Sequence, residues 1–481
     1  MPGALGHGRI CGAFALYLAP LRTWSDPLLR APLEASPTEV RAAARREVQA
    51  QQARGRQVVD MRLPTPGRSW MRVVTKGEGQ LERVWVHPTT DARRPLHSEL
   101  GDFLYHLHYL QPLPSGILVA GAFGILLTFL VTGGLMLEWR RIRQDLRRPR
   151  RGPGRGPLRQ THKLAGLLGL PFLLLMGWTG AHIALRYPAL RPLTIQAAFE
   201  GDHGRVQAAE GEGPAPAAAG QPGPVPDPAQ AVEVASAAVP DATFDRMFFN
   251  HFGDLNGSVL VAGEDLNHLA LFARVRVDAQ GHILSTWPAG GPTPHAQATG
   301  VFHGLHYARW AGPGFRALYS LLSLLTAATA LSGMLLWLSR SRPAEDRLAP
   351  RLMRATIGFS AGLVLAISAL FLLNQLVPPN APNRVAWEQI GFCIAWGLAL
   401  LGAFVPLTPR RIAGLQLTLA AGLMGAALLL DLWANRRLPF QDPSVAGMDL
   451  TLWIWTLLLA SGARWLRPRA PAAVSPAAPP G

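Results

Sequence analysis

Two histidines sit in the same short word at the same kind of place. "DFLYHLHYLQP" (Asp102–Pro112) and "GVFHGLHYARW" (Gly300–Trp310) each put Leu-His-Tyr a few residues ahead of a long apolar run. His108 and His306 therefore stand at the mouths of two apolar segments. A neutral imidazole is a metal ligand, and two equivalent ones on one side of a membrane can face each other. His162 and His182 bracket a third apolar run. At about 1.5 Å rise per residue their separation is roughly 30 Å, so they lie at opposite faces of a bilayer and cannot share one metal. His182 is a third candidate on the side of His108 and His306. The plainer reading of any helix-end histidine is an interfacial residue, and repetition is what argues for more at His108 and His306. His106 and His303 lie beside these positions without matching each other, although His303 and His306 share a helical face at i, i+3. His87, His97, His203, His251, His268, His282 and His295 read as surface residues.

The elements that must position these histidines are membrane helices. Ile117–Leu137, Leu164–Leu185, Ala317–Leu338, Ala355–Val377, Gln389–Leu407 and Ile412–Leu430 are uncharged apolar runs, and Leu450–Ala463 is a shorter, weaker one. Crossing a bilayer takes about 20 such residues, and an amphipathic soluble helix would carry charge every third or fourth position. The net charge of +16 does not indicate nucleic acid as a partner, because of where the charge lies. Arg140, Arg141, Arg143, Arg147, Arg148, Arg150, Arg151, Arg155 and Arg159 crowd one short loop. Smaller clusters follow at 340–354, at Arg410 and Arg411, and at 464–469. Each falls at alternate crossings, as the positive-inside rule requires. The lipid bilayer is the first partner. Two cysteines, Cys11 and Cys393, exclude a disulfide framework, and Cys393 reads as a packing residue. Glu388 and Asp431, at span edges, read as interfacial, and Trp433, Trp453 and Trp455 fit an aromatic belt.

The basic loop orients the chain so that residues about 190–310, and everything before 114, lie outside. "GWTGAHIALRYPALRP" (Gly177–Pro192) echoes "GRICGAFALYLAPLRT" (Gly8–Thr23). The first residues thus read as the outer end of a membrane helix whose body is absent. The chain divides into two repeats, each with an outer domain, a helix running inward and a basic inner loop. The repeats match again at Thr132-Gly133 and Ser332-Gly333, and at Trp139 and Trp337. Expected boundaries are a helix-one remnant (1–19), a first outer domain (20–100), helix two with its preceding helix (101–139) and the basic loop (140–160). Helix three (161–187), a second outer domain (188–300), helix four (301–338), a loop (339–354), C-terminal helices (355–466) and a disordered tail (467–481) complete the chain. In the outer domains, helices are expected at Pro37–Arg54, with Thr38 as N-cap, and at Asp227–Val239. Strands are expected at 69–75, 82–88, 257–263 and 270–278, and Ala208–Pro228 reads as a linker.

These residues resemble the PepSY-associated transmembrane proteins, the iron-regulated inner-membrane group that includes ferric-siderophore reductases. The match rests on the two LHY words, Thr132-Gly133, Trp139, "THKLAGLLGLPFLLLMGWTGA" (161–181) and "GLHYARWAGPGFRALYSLLSLLTAATALSGMLLWL" (304–338). The fold implied is an α-helical polytopic membrane protein, about seven helices here and eight with a complete first one. It carries two small α+β PepSY-like periplasmic domains, with "VWVHPTTD" (84–91) where members usually have an aspartate before the proline.

The resemblance implies haem b held by helix-end histidines, with electrons crossing the inner membrane to reduce periplasmic ferric siderophores. His108 and His306 match the outer ligands, and His162 the one at the inner start of helix three. Two axial imidazoles must be neutral and come from opposite faces of the ring; His182 is the further candidate. "GPGRGP" (152–157) follows no strand and is not a dinucleotide fingerprint. Electrons are thus expected from a quinol or another membrane donor. The alternative is a non-catalytic membrane protein whose outer domains bind a periplasmic partner or regulate a peptidase. A transporter finds no broken helix or central charged site.

Overall fold

In the computed structural model, residues 12–30, 33–65, 68–95, 98–147, 157–210, 216–340, 348–379 and 381–467 are described. The start of the helix-one remnant, the centre of the basic loop, His97 and the C-terminal tail lie outside them.

The chain forms two compact units, Met1–Gly333 with Asp442–Val445, and Met334–Gln441 with Ala446–Gly481. In the first, α1 (Leu18–Ser25) and α2 (Pro37–Ala53) precede strands β1 (Gln57–Arg62), β2 (Met71–Gly77), β3 (Gln80–Val86) and β4 (Arg93–Pro95). Helix α3 (Leu100–His108) then leads into the long α4 (Gly116–Arg147), which α5 (Pro157–Leu185) follows. Short helices α6 (Arg191–Ala198) and α7 (His203–Glu210) come next, the latter running into the start of the expected linker. Helix α8 (Pro228–Ala238) and strands β5 (Thr243–Asn250), β6 (Ser258–Glu264), β7 (Phe272–Asp278) and β8 (Ile283–Trp287) repeat the first pattern. Helix α9 (Pro294–Tyr307) leads into α10 (Pro313–Leu338) as α3 leads into α4.

The two expected outer domains are one layer. Their strands join in a single antiparallel sheet of order β4-β3-β2-β1-β5-β6-β7-β8. The seam is β1 against β5, pairing Asp60 with Phe248, Met61 with Met247 and Arg62 with Arg246. Met61 and Met247 meet there fully buried, inside one continuous core that runs under α2 and α8. Burying a side chain of that size contributes about 1.5–3 kcal/mol. The Arg41–Glu233 and Arg45–Asp227 pairs across α2 and α8 are partly exposed and contribute little by comparison. Helix α2 is capped by Ser36 rather than Thr38. Its hydroxyl accepts from the Glu39 amide at 3.3 Å, and the Glu39 carboxylate accepts in return from the Ser36 amide at 2.7 Å.

Among the described residues, seven helices are long and apolar enough to cross a membrane, which makes this a polytopic membrane protein. In the first unit these are α4, the α5 region (His162–Ala198) and α10. Helices α4 and α5 approach closely through small residues: a Cβ on Gly124 would stand 2.9 Å from the Gly177 carbonyl oxygen.

The second unit contains α11 (Ala349–Leu376), α12 (Arg384–Gly402), α13 (Pro409–Ala434) and most of α14 (Pro443–Leu466). Helix α11 packs on both α12 and α13, and Gly358 and Gly362 form a small-xxx-small face where added Cβ atoms would meet Ala403 and Ala399 at 2.7 and 2.8 Å. Helix α12 begins earlier than its apolar run because its charges are buried, not interfacial. Arg384 pairs with Glu388 at 3.2 Å and also donates to the Val377 and Asn374 carbonyls. The helix ends at Gly402, beyond which Arg354 donates to the carbonyls of Ala403, Val405 and Leu407. Asp431 is likewise fully buried, paired with Arg437, which also holds Asp449. Cys393 faces outward instead of packing, and Trp433 is exposed.

A histidine pair beside an arginine-floored cavity

The two LHY histidines converge. Helix α3 is tied to α1 by Arg22, whose Nε donates to Asp102 at 2.9 Å, and by a close approach at Gly101, where an added Cβ would stand 3.2 Å from the Leu21 Cβ. Burial alone would raise the Asp102 carboxyl, but the hydrogen bond and charge of Arg22 outweigh it and hold it below its usual range. Helix α9 starts at Thr293, whose hydroxyl accepts from the Ala296 amide at 3.1 Å. Gly304 lets this helix lie directly on the preceding loop, because a Cβ there would stand 1.9 Å from the Leu269 oxygen. With both helices so fixed, the His108 and His306 rings lie 6.2 Å apart between centres, with planes 35° apart.

A glycine presses on each ring. A Cβ on Gly12 would meet His108 Cε1 at 2.9 Å, and one on Gly180 would meet His306 Cε1 at 3.1 Å. Gly12 and Gly180 are corresponding positions of the two echoing segments, so the contact is repeated along with the histidine.

Hydrogen bonds assign the protons. Thr179 donates its only hydroxyl hydrogen to the Leu175 carbonyl at 2.6 Å, so its oxygen accepts from His306 Nδ1 at 2.9 Å. His306 Nε2 then carries a lone pair. Burial first, then the neighbouring His108 and His303, push the His306 imidazole down to about 3, which keeps it neutral. His303 Nδ1 donates to the Thr299 carbonyl at 2.8 Å, and His162 Nδ1 to the Thr329 carbonyl at 3.0 Å. Both are therefore also left with Nε2 as the acceptor or ligand atom.

His162 lies at the other end of α5, where Gly333 presses on it as the other two glycines press on their rings: a Cβ there would stand 2.9 Å from Cε1. Gly133, its repeat counterpart, has no atom that close, with nothing among the described residues within 4 Å of an added Cβ. His182 stands apart from the pair. Its ring packs edge-on against Phe302, 4.8 Å between centres, and its Nε2 is buried with no hydrogen-bond partner among the described residues.

Beside the pair opens a cavity of about 1430 Å³, lined by His108, His306, His106 and His303 and by the face of the sheet turned away from α2 and α8. Ten arginines but five acidic side chains line it, so it is electropositive. The register places Trp85, Arg72, Arg62, Arg246, Ala262, Arg274 and Trp287 directly opposite one another on seven successive strands. Every member of this rung lines the cavity. Arg72 pairs with Asp60, Arg246 with Glu264 at 2.7 Å, and Arg274 lies over the Trp287 ring at 5.1 Å. Arg62, the central one of the three adjacent arginines, has no ion pair among the described residues. Burial, then Arg72, Arg246 and Arg22, push its guanidinium down to about 9.

His108, His306 and His162 stood out in the sequence as candidates, whereas the residues that contact their rings did not. Thr179 and Gly180 sit within a quoted motif, and Gly180 was legible as the echo of Gly12. The arginine rung left no signal, because its members are far apart in the chain and meet only through strand pairing.

A polytopic helical membrane protein, with a duplicated strand layer covering a duplicated helix-end histidine, is the class that this fold and site define. The chain belongs to the PepSY-associated TM region family, whose model matches residues 9–340. It is 34% identical over 403 residues to an uncharacterized protein of Pseudomonas aeruginosa, covering 77% of this chain and 96% of that one.

Proposed function

We propose that this chain is an inner-membrane haem-b protein that delivers electrons to ferric complexes, of the ferric-siderophore kind, on the periplasmic side. The carrying observation is the His108–His306 pair. An imidazole nitrogen lies about 2 Å from a bound first-row metal, and about 1 Å more separates it from its ring centre, so two imidazoles holding one metal between them would stand roughly 6 Å apart. The observed 6.2 Å supports a shared iron. Bound there, haem would supply one-electron chemistry at a potential set by its ligands and their hydrogen bonds. Thr179 holds His306 in the tautomer that presents Nε2, and Gly12 and Gly180 leave both rings room to stand where they do. His162, with the same tautomer roughly 30 Å along α5 from His182, is the candidate for an inner station. Its donor is a quinol or another membrane protein.

The test is the visible spectrum of detergent-purified protein. A b-type band present in the native protein and lost in His108→Ala and in His306→Ala is the expected result. Well-folded native protein without haem sinks the reading.

A further inference from the structure

We infer that Arg62, flanked by Arg72 and Arg246, is a binding site for a carboxylate-bearing anion that diffuses into the cavity beside the histidine pair. Directly opposed like charges in adjacent strands destabilise a sheet, and here three arginines occupy opposed positions on β2, β1 and β5. A row of that kind needs compensation. Arg72 and Arg246 find it in Asp60 and Glu264, but Arg62 is left with its charge, its fork of donors and, among the described residues, no carboxylate at ion-pair distance. Its side chain lines a cavity with room for a small-molecule ligand. A guanidinium fork matches a carboxylate with two parallel hydrogen bonds, stronger than neutral ones. Trp85 and Trp287 close the two ends of the rung and give an organic ligand apolar walls.

The site stands on the sheet alone. That its occupant is the electron acceptor rests on the proposed function, and on that footing the preferred acceptors are ferric complexes with anionic, carboxylate-rich chelators. Carboxylates could also arrive on the haem itself, and the experiment separates the two sources.

Full-length protein in nanodiscs is titrated with gallium(III) citrate, a redox-inert anionic complex, while its visible spectrum is recorded on the same samples. Native protein is expected to bind it, with affinity falling as salt rises. Arg62→Gln should weaken binding about tenfold or more, the worth of a charge-assisted hydrogen bond or two, and Arg62→Lys should weaken it less. Both variants should keep the native melting temperature and any b-type band. Equal binding by native protein and a folded Arg62→Gln overturns the site. Loss of the band in Arg62→Gln with citrate binding unchanged overturns it too, because the arginines would then hold haem carboxylates. Citrate binding that depends on Arg62 in protein lacking any band upholds the site and removes the redox reading. Should Arg62→Gln fail to fold, Arg62→Lys and the salt dependence decide alone: unchanged affinity in both overturns the site.

Discussion

Gly180 holds its Cα so close to the His306 ring that a single added methyl would stand 3.1 Å from Cε1, and Gly12 does the same to His108. The glycine on one helix thus sets the position of the histidine on another. Gly180→Val is expected to push the ring aside and remove most of the b-type absorption without unfolding the protein. Gly133→Ala, with open space around its Cβ, should leave the spectrum native. Equal haem content in the two variants counts against a positioning role for Gly180.

Thr179 is the second hold on the same ring. Thr179→Val keeps the shape but removes the acceptor for His306 Nδ1–H, leaving a buried donor unpaired at about 1–3 kcal/mol. Losing the hydrogen bond that orients a metal-ligating histidine typically lowers affinity about 10–100-fold. Haem titration of the apoprotein measures this. Thr179→Ser should restore native affinity.

Asp102 makes the stability of the histidine-bearing α3 acid-sensitive. Its folded pKa lies below the ordinary value because Arg22 outweighs its burial. The unfolded chain therefore binds more protons as pH falls, and the pair's contribution, full above about pH 4, is lost through the folded pKa. Thermal melts between pH 7 and pH 3 should show this loss in native protein and a flatter profile in Asp102→Asn. Parallel profiles remove Asp102 as the cause.

In the second unit, Arg437 is shared by two buried aspartates. Arg437→Met leaves both carboxylates buried without a cation and should cost about 3–5 kcal/mol. Asp449→Asn, which leaves a one-to-one pair, should cost clearly less. Guanidinium or heat denaturation in detergent measures the difference, and similar losses would show that Arg437 is not the centre of the cluster.

The spans were legible because apolar length is a strong signal, and all seven runs correspond to helices. Even Pro443–Leu466 did so, although only Leu450–Ala463 looked apolar: Asp449, hidden by its pairing with Arg437, had cut the run short. Strands β2, β3, β6 and β7 were legible from their alternation. The seam strands β1 and β5 were not, since Asp60, Arg62, Asp245 and Arg246 make them read as polar loops. Those same charges face the cavity, so the residues that disguised the seam are also those that line the site. At the candidate site, repetition revealed His108 and His306, whereas Thr179 and the arginine rung depend on contacts between distant segments.

The seam also sets an order of assembly. About 180 residues separate the end of β1 from the start of β5, and α4 and α5 are made in between. At a synthesis rate of roughly 5–20 residues per second, β1 waits about 10–40 s with one edge unpaired. The first half of the sheet must remain unaggregated for that time, while two membrane helices are made after it. A chaperone acting on the first half during this interval would govern yield, and a slower ribosome would lower it.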